Sequence, residues 1–394
     1  MENMPVEPEV PTPPAAAGSL TERGRALAAA GRHDEALAAF EQAVALDARA
    51  VGAHLGIYEV AQILGRPELA LAHQAAAIAI APIHSTPARG REAYALLVPS
   101  VPGPWTANTP VDLLFDPAQV TIHRWYVDPT GAVPPLPRHD AVFVAAGESQ
   151  AAQPALTFLS QALAAGERPV LNDPARIALL GRIPFARTFA GARARVVTTT
   201  RMTRGDYARH GFPTPHIVRP LDAHGGHGLE RIDDDAQRAA YLAGHDAAEL
   251  YVSPFIDYAS ADGFYRKYRI VFVDGEPYPF HLAISPRWMV HYYNAPMTEH
   301  QWMRDEERAF LADLERVFHG ALAEALRETA ERLALDYVGI DCAIDRDGRL
   351  VIFEADNALL IHSLDDPQLF PYKREYVPRI YVALDAMVRR RIGR

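Results

Sequence analysis

Three acidic side chains near the C-terminus stand where they could hold a hard divalent cation. Tyr337–Ile344 reads as a strand, Asp345-Arg346-Asp347-Gly348 as a tight turn, and residues 349–354 as the returning strand. The two-residue period of the second strand puts Glu354 and Asp356 on one face, where Asp341 from the first strand can meet them. Mg²⁺ takes carboxylate oxygens of this kind, with substrate phosphates completing its shell. Asn357 is the alternative to Asp356 and joins that face only if the strand twists. Glu354 extends the apolar run Leu350-Val351-Ile352-Phe353, and a carboxylate there needs a partner to offset its desolvation.

Upstream lie the residues that could face such an anion. His216–Pro220 reads as a short strand carrying Arg219, and it leads into His224-Gly225-Gly226-His227-Gly228, where glycine lets backbone amides approach phosphate oxygens. Residues 249–258 form an apolar, β-branched and aromatic strand interrupted by Pro254. Residues 262–285 form a hairpin around Asp274-Gly275, and Lys267 and Arg269 share one of its faces at period two. An inward Arg there would stabilise charge on a transferring phosphoryl group. His281 lies on the returning strand, and residues 287–294 combine aromatic and polar side chains, including His291 and Asn294.

Glycine-rich turn, apolar strand, cationic hairpin and acidic hairpin, in that order, resemble the ATP-grasp ligases over roughly residues 140 to 390. That family's metal-binding end carries an Asp and, about one hairpin later, Glu-x-Asn; the separation here, 354 − 341 = 13, fits. Asp356 stands where Asn is usual, and Ala358-Leu359-Leu360-Ile361-His362 replaces the Pro-Gly loop that often follows. Arg219 occupies the place of a Lys that contacts nucleotide phosphates; Arg keeps the charge and adds a planar fork. The cationic hairpin, with its Val273-Asp274-Gly275-Glu276-Pro277 turn, is similar to that of bacterial glutathione synthetases, as is Asn172-Asp173-Pro174.

The resemblance implies an α+β / α/β chain with an ATP-grasp domain over 187–394, preceded by a small parallel-sheet domain over 99–186. It implies ATP and Mg²⁺ as cofactors, with Mn²⁺ as a substitute. Arg219, His224, Gly225, Gly226 and Gly228 would then hold phosphates, Val252 and Phe255 the adenine through their backbones, and Asp257 the ribose. Asp341, Glu354 and Asp356 would be the metal ligands. Lys267, Arg269, His281 and Asn294 would serve the transfer and the substrate. The implied activity is ADP-forming joining of a carboxylate (amino acid, peptide or small acid) to an amine through an acyl phosphate. A kinase on the same fold and a nucleotide-binding scaffold without catalysis are the alternatives.

The N-terminal third has another character. Residues 1–18, rich in Pro, Glu and Ala, are expected to be a disordered tail. From 19 to 98 the chain is Ala- and Leu-rich. Gly31 and Gly65, Ala36 and Ala70, and Ala43 and Ala77 are each 34 residues apart, the tetratricopeptide period. Two repeats are fewer than a free-standing array needs, so the module is expected to lean on the rest of the chain or a second subunit. A peptide or protein partner could dock there; a helical spacer is the alternative. Residues around 121–127, 141–146 and 168–172 read as strands and 154–165 as a helix, and alternation of this kind suggests a parallel sheet. Gly147-Glu148-Ser149 falls at a strand's carboxyl end, the ligand side of such sheets.

With 49 acidic and 39 basic residues, a net charge of −10 and no basic stripe, the chain is not expected to bind nucleic acid. Cys342 is the only cysteine, which rules out an internal disulfide. No signal peptide or long apolar segment is read, so a cytoplasmic protein with no membrane partner is expected. Homo-oligomers are common among glutathione-synthetase-like proteins.

Overall fold

The fold is described from a computed structural model over residues 13–221, 228–291 and 294–394. The class is mixed α+β with an N-terminal helical module, as expected. The chain divides into two compact units, the first of Met1–Pro110 with Pro117–Ala146, the second of Val111–Asp116 with Gly147–Arg394.

In the first unit, α1 (Pro13–Ala29) and α2 (His33–Leu46) form one helical hairpin, and α3 (Val51–Ile63) and α4 (Pro67–Ile80) a second. Gly31 and Gly65 turn the two hairpins with φ of 74° and 69°, where glycine carries no Cβ penalty. Ala36, Ala43, Ala70 and Ala77 are fully buried, so the repeat spacing marks the packed positions. The Phe40 ring fills the space left by Gly24 and Gly56; a Cβ on Gly24 would stand 2.6 Å from it. α1 begins at Pro13, inside the span expected to be a tail, since Pro suits a first helical turn and the alanines after it propagate the helix.

The helical module stops at Ile80, short of residue 98. Ile83–Thr86 (β1) and Tyr94–Ser100 (β2) are strands, followed by β3 (Val120–Tyr126) and β4 (Ala141–Phe143). Every residue of β2 is buried, and so short an apolar run has no periodicity to separate it from a helix. β2 pairs parallel with β3 and β4, while β1 lies antiparallel on β3. The helices lean on the loop after β2. Tyr58 donates its hydroxyl to the Gly103 carbonyl (2.9 Å), and Gln74 and Gln62 accept the Gly103 and Trp105 amides, both at 2.8 Å.

The second unit opens with α5 (Val111–Leu114), α6 (Gln153–Ala162), β5 (Val170–Leu171), α7 (Pro174–Ile177), α8 (Arg182–Thr188) and β6 (Arg195–Val196). A first antiparallel sheet joins β7 (Thr200–Thr203), β8 (His216–Pro220), β9 (Glu230–Ile232) and β10 (Glu249–Pro254) in the order β7-β10-β8-β9. Beside it, α9 (Arg204–His210) and α10 (Asp235–Gly244) bury Tyr207 and Tyr241 against Val218, Ile232, Leu250 and Val252. The second sheet contains β11 (Tyr265–Val273), β12 (Glu276–Ser285), β13 (Tyr337–Ile344) and β14 (Leu350–Asp356) in the order β12-β11-β13-β14-β6. Asp274 and Gly275, at φ of 53° and 83°, form the tight left-handed turn that joins β11 to β12. α11 (Gln301–Ala312), α12 (Ala321–Leu333), α13 (Lys373–Tyr376) and α14 (Pro378–Arg391) complete the unit. Among the described residues no helix is long and apolar enough to cross a membrane.

Asn172 ties the start of β13 to the segment after β5. Fully buried and at φ 59°, it accepts the Tyr337 amide and donates to the Tyr337 carbonyl, both at 2.8 Å, while its own amide donates to Asp336 at 2.8 Å. Asn172→Ala leaves two backbone groups of β13 without partners. It should destabilise the unit by about 2–6 kcal/mol at roughly 1–3 per orphaned group; the urea midpoint measures this.

Candidate active site

Strand register lines up a row of charge across the second sheet. His281 on β12 faces Arg269 on β11, Arg269 faces Asp341 on β13, and Asp341 faces Glu354 on β14, with Gly339 opposite Asp356. Residues at paired positions share a face, so Lys267 and Asp356, each two residues along, belong to the same surface. On the opposite face Tyr268 packs edge-on against Phe310 and Phe318.

Asp341, 4% exposed, accepts from Lys267 Nζ (2.9 Å), Arg269 Nε (2.6 Å) and Arg269 Nη2 (2.9 Å). Burial alone would raise its pKa, but the two cations outweigh burial and hold it well below the usual carboxylate range. Glu354 and Asp356 are the exposed residues at the end of β14, whereas Asn357 is fully buried, so Asp356 is the one presented to the face. The surrounding protein, with the charges of Glu354 and Asp341, pushes Asp356 up to about 6, although its side chain still reaches solvent. One Asp356 oxygen accepts the Ala358 amide at 2.7 Å.

The three carboxylates expected to share one ion do not form a ready-made cluster. Among the described residues no group of three His, Cys, Asp or Glu side chains lies close enough to hold a metal. The cause is local: Asp341 is turned into Lys267 and Arg269. Glu354 and Asp356 remain as an adjacent acidic pair whose crowding a divalent cation would relieve.

Arg219 shows the clearest sign of an anion site. Its Nε is buried without a hydrogen-bond partner among the described residues. Burial, then the neighbouring Arg182 charge, lowers its pKa to about 10. A buried guanidinium nitrogen left open is costly unless a ligand completes it, and phosphate oxygens match the Arg fork. Arg182, which sequence reasoning missed, opens α8 and donates from Nη2 to Glu354 at 3.1 Å. No local pattern marks it, because its partner is 172 residues away.

The other expected residues have protein partners of their own. Val252 is buried in the small core, and its register pairs it with Thr200 on one side and Val218 on the other, so its backbone belongs to the ladder. The Phe255 amide donates to the Pro215 carbonyl at 3.1 Å, and its ring lies under Arg231, 4.1 Å from the guanidinium carbon, and edge-on to Trp288. Asp257 pairs with Arg346 at 2.8 Å and accepts the Ala259 amide at 3.0 Å, so its carboxylate is already engaged. Asn294 closes its own loop, accepting the His291 amide (2.7 Å) and donating to the Met289 carbonyl (3.0 Å). It therefore shapes the loop that carries His291. Burial, then Lys267 and Arg269, lowers the His291 pKa, which places that imidazole in the field of the charged row.

His281 is drawn to the sheet edge, where its Nδ1 is 2.5 Å from Glu307 of α11. Gly228 sits at φ 62° with its carbonyl accepting from Tyr241 at 3.1 Å, and a Cβ there would meet Pro220 at 2.8 Å. The turn's geometry therefore requires glycine at that position whatever it binds. His224, Gly225 and Gly226 lie outside the described residues.

No family model and no curated protein matches this sequence. Among solved structures, the chain is similar to a RimK domain ATP-grasp protein from Sphaerobacter thermophilus DSM 20745, at 16% identity and TM-score 0.42 over 74% of this chain and 99% of that one. It is similar to the VanG D-Ala:D-Ser ligase of Enterococcus faecalis, at 12% identity and TM-score 0.45 over 76% of this chain and 100% of that one. The ATP-grasp ligase PsnB, complexed with a phosphomimetic variant of a minimal precursor, Mg and ADP, gives 11% identity and TM-score 0.44 over 75% of this chain and 99% of that one.

Proposed function

We propose that the second unit is an ADP-forming carboxylate–amine ligase of the ATP-grasp type, using ATP with Mg²⁺ or Mn²⁺. The observation that carries this reading is Arg219, whose buried Nε lacks a partner among the described residues, close to Glu354 on a sheet face that also bears Arg269, Lys267 and Asp356. Such a face offers donors to phosphate oxygens and acidic oxygens to a metal, the two requirements of phosphoryl transfer.

In this reading Glu354 and Asp356 hold the metal, and Asp341 reaches it only by releasing one of its cations. A bound divalent ion would supply charge neutralisation at the phosphates. Arg219 and Arg182 orient the phosphate chain, and Arg269 stabilises charge on the transferring group. The acid's carboxylate oxygen attacks the γ-phosphorus and ADP leaves. The amine then attacks the acyl carbon, phosphate leaves, and the nitrogen loses a proton to give the amide. The glutathione-synthetase resemblance of the cationic hairpin points to an amino acid, a peptide or a small acid as substrate. The two helical hairpins of the first unit, with their 34-residue spacing, are read as a tetratricopeptide-type docking surface for a peptide or protein.

The test is ADP and phosphate release from ATP and Mg²⁺ with pooled amino acids and short peptides, with mass detection of products. A product lighter by one water than its two parents, absent in Glu354→Ala, is expected. A stable phosphorylated product would replace the ligase with a kinase, and nucleotide binding without turnover would favour the scaffold.

A further inference from the structure

Glu148, in the second-unit loop that leads into α6, is a half-buried carboxylate with no part in the scheme above. Its Oε1 accepts from Gln153 Nε2 at 3.2 Å, and that nitrogen also reaches the Ala178 carbonyl at 3.5 Å. Glu148 and Gln153 thus pin the short link from α7 to α8. At the end of that link, Gly181 has φ −57° and ψ 143°, a conformation open to any residue. A side chain there would meet the Glu148 carboxylate, not a backbone restraint. A Cβ on Gly181 would lie 2.8 Å from Glu148 Oε1 and 3.2 Å from its Cδ.

The next residue is Arg182, whose guanidinium, 31% exposed, holds Glu354 at 3.1 Å. Burial raises the Glu148 pKa, and the Gln153 bond and the Arg182 charge oppose it, so the carboxylate feels that cation. Arg182 thus holds Glu354 and directly follows the glycine against which the Glu148 carboxylate is seated. Glu354 belongs to the proposed metal pair, and Glu148 has no such competing duty.

We propose that Glu148 is a positioning residue for Arg182: seated against Gly181, its carboxylate fixes the start of α8 so that the guanidinium faces nucleotide phosphates when Glu354 is otherwise engaged. This rests on the ligase reading. The test is equilibrium binding of ADP to the full chain in EDTA, so that no metal intervenes, together with thermal unfolding. Glu148→Gln and Arg182→Ala should each weaken ADP binding roughly tenfold, and the double variant should bind no worse than Arg182→Ala alone.

Gly181→Ala, which displaces the carboxylate, should reproduce the loss and add nothing to Glu148→Gln. The melting temperature of Glu148→Gln should hold or rise, because a neutral amide ends the burial of a charge. Losses that add, a melting temperature that falls with affinity, or wild-type binding by Glu148→Gln would overturn the proposal and leave the ligase reading standing; wild-type binding by Arg182→Ala would overturn the proposal and also remove Arg182 from the phosphate-orienting role. A wild-type chain that binds no ADP would overturn both.

Discussion

Arg269→Met is expected to remove ATP turnover by a factor on the order of 10²–10³, the loss seen when one preorganised donor to a transition-state charge is deleted. It should also lower stability, because Asp341 is almost fully buried and takes two of its three bonds from this guanidinium. Removing one member of a buried ion pair costs about 3–5 kcal/mol. Lys267, still 2.9 Å from Asp341, should keep the loss near the lower end. Arg269→Lys should recover most of the stability and little of the turnover, since an ammonium cannot span both Asp341 oxygens and a phosphate as a planar fork does. Steady-state kinetics with urea unfolding separates the two effects. A variant that keeps wild-type turnover would remove Arg269 from the chemistry.

The second large effect is expected at Glu307, which has no exposed surface and caps the open edge of the second sheet. Its carboxylate meets His281 Nδ1 at 2.5 Å, the Tyr372 hydroxyl at 2.5 Å, the Leu282 amide at 3.3 Å and Lys373 Nζ at 3.4 Å. Lys373, 3% exposed, has Asp365 at 3.1 Å as its other carboxylate. Glu307→Gln withdraws a charge from this cluster and turns an amide toward groups that donate, so about 3–5 kcal/mol should be lost.

The pH dependence of stability follows from the same contacts. Burial would raise the Glu307 pKa, but His281, Lys373 and Tyr372 bring it down from 4.5 to about 2. Its contribution is therefore complete above about 4.5 and disappears as pH falls toward 2, an effect on the order of 3 kcal/mol at 1.36 per unit. The His281 pKa is lowered from 6.5, chiefly by burial, so its contribution is present above 6.5 and falls away as acid forces a proton onto it. Urea midpoints from pH 7 to pH 3, as an approximate acid range, should fall steeply in the wild type and more shallowly in Glu307→Gln. Parallel curves would refute the assignment.

The two long hairpins were legible because their signals are local. Asp274-Gly275 and Asp345-Arg346-Asp347-Gly348 name their own turns, and alternation then sets which side chains share a face. Lys267 with Arg269, and Glu354 with Asp356, were placed in this way. What escaped depended on partners far along the chain. Arg182 acquires meaning only beside Glu354, and Asp341 reads as a free metal ligand until Lys267 and Arg269 are seen to hold it. The ladder partners of Val252 and the Pro215 carbonyl that takes the Phe255 amide are likewise invisible to a local reading. β2 was absorbed into the helical span because a fully buried strand carries no alternation to betray it.

The most direct test of the site is a crystal structure of the full chain with Mg²⁺ and a non-hydrolysable ATP analogue. A triphosphate is expected to lie along the charged face, with an oxygen on Arg219 Nε, the γ-phosphate beside Arg269, and the metal between the phosphates, Glu354 and Asp356. A nucleotide bound elsewhere, or one that leaves Arg219 Nε without a partner, would contradict it.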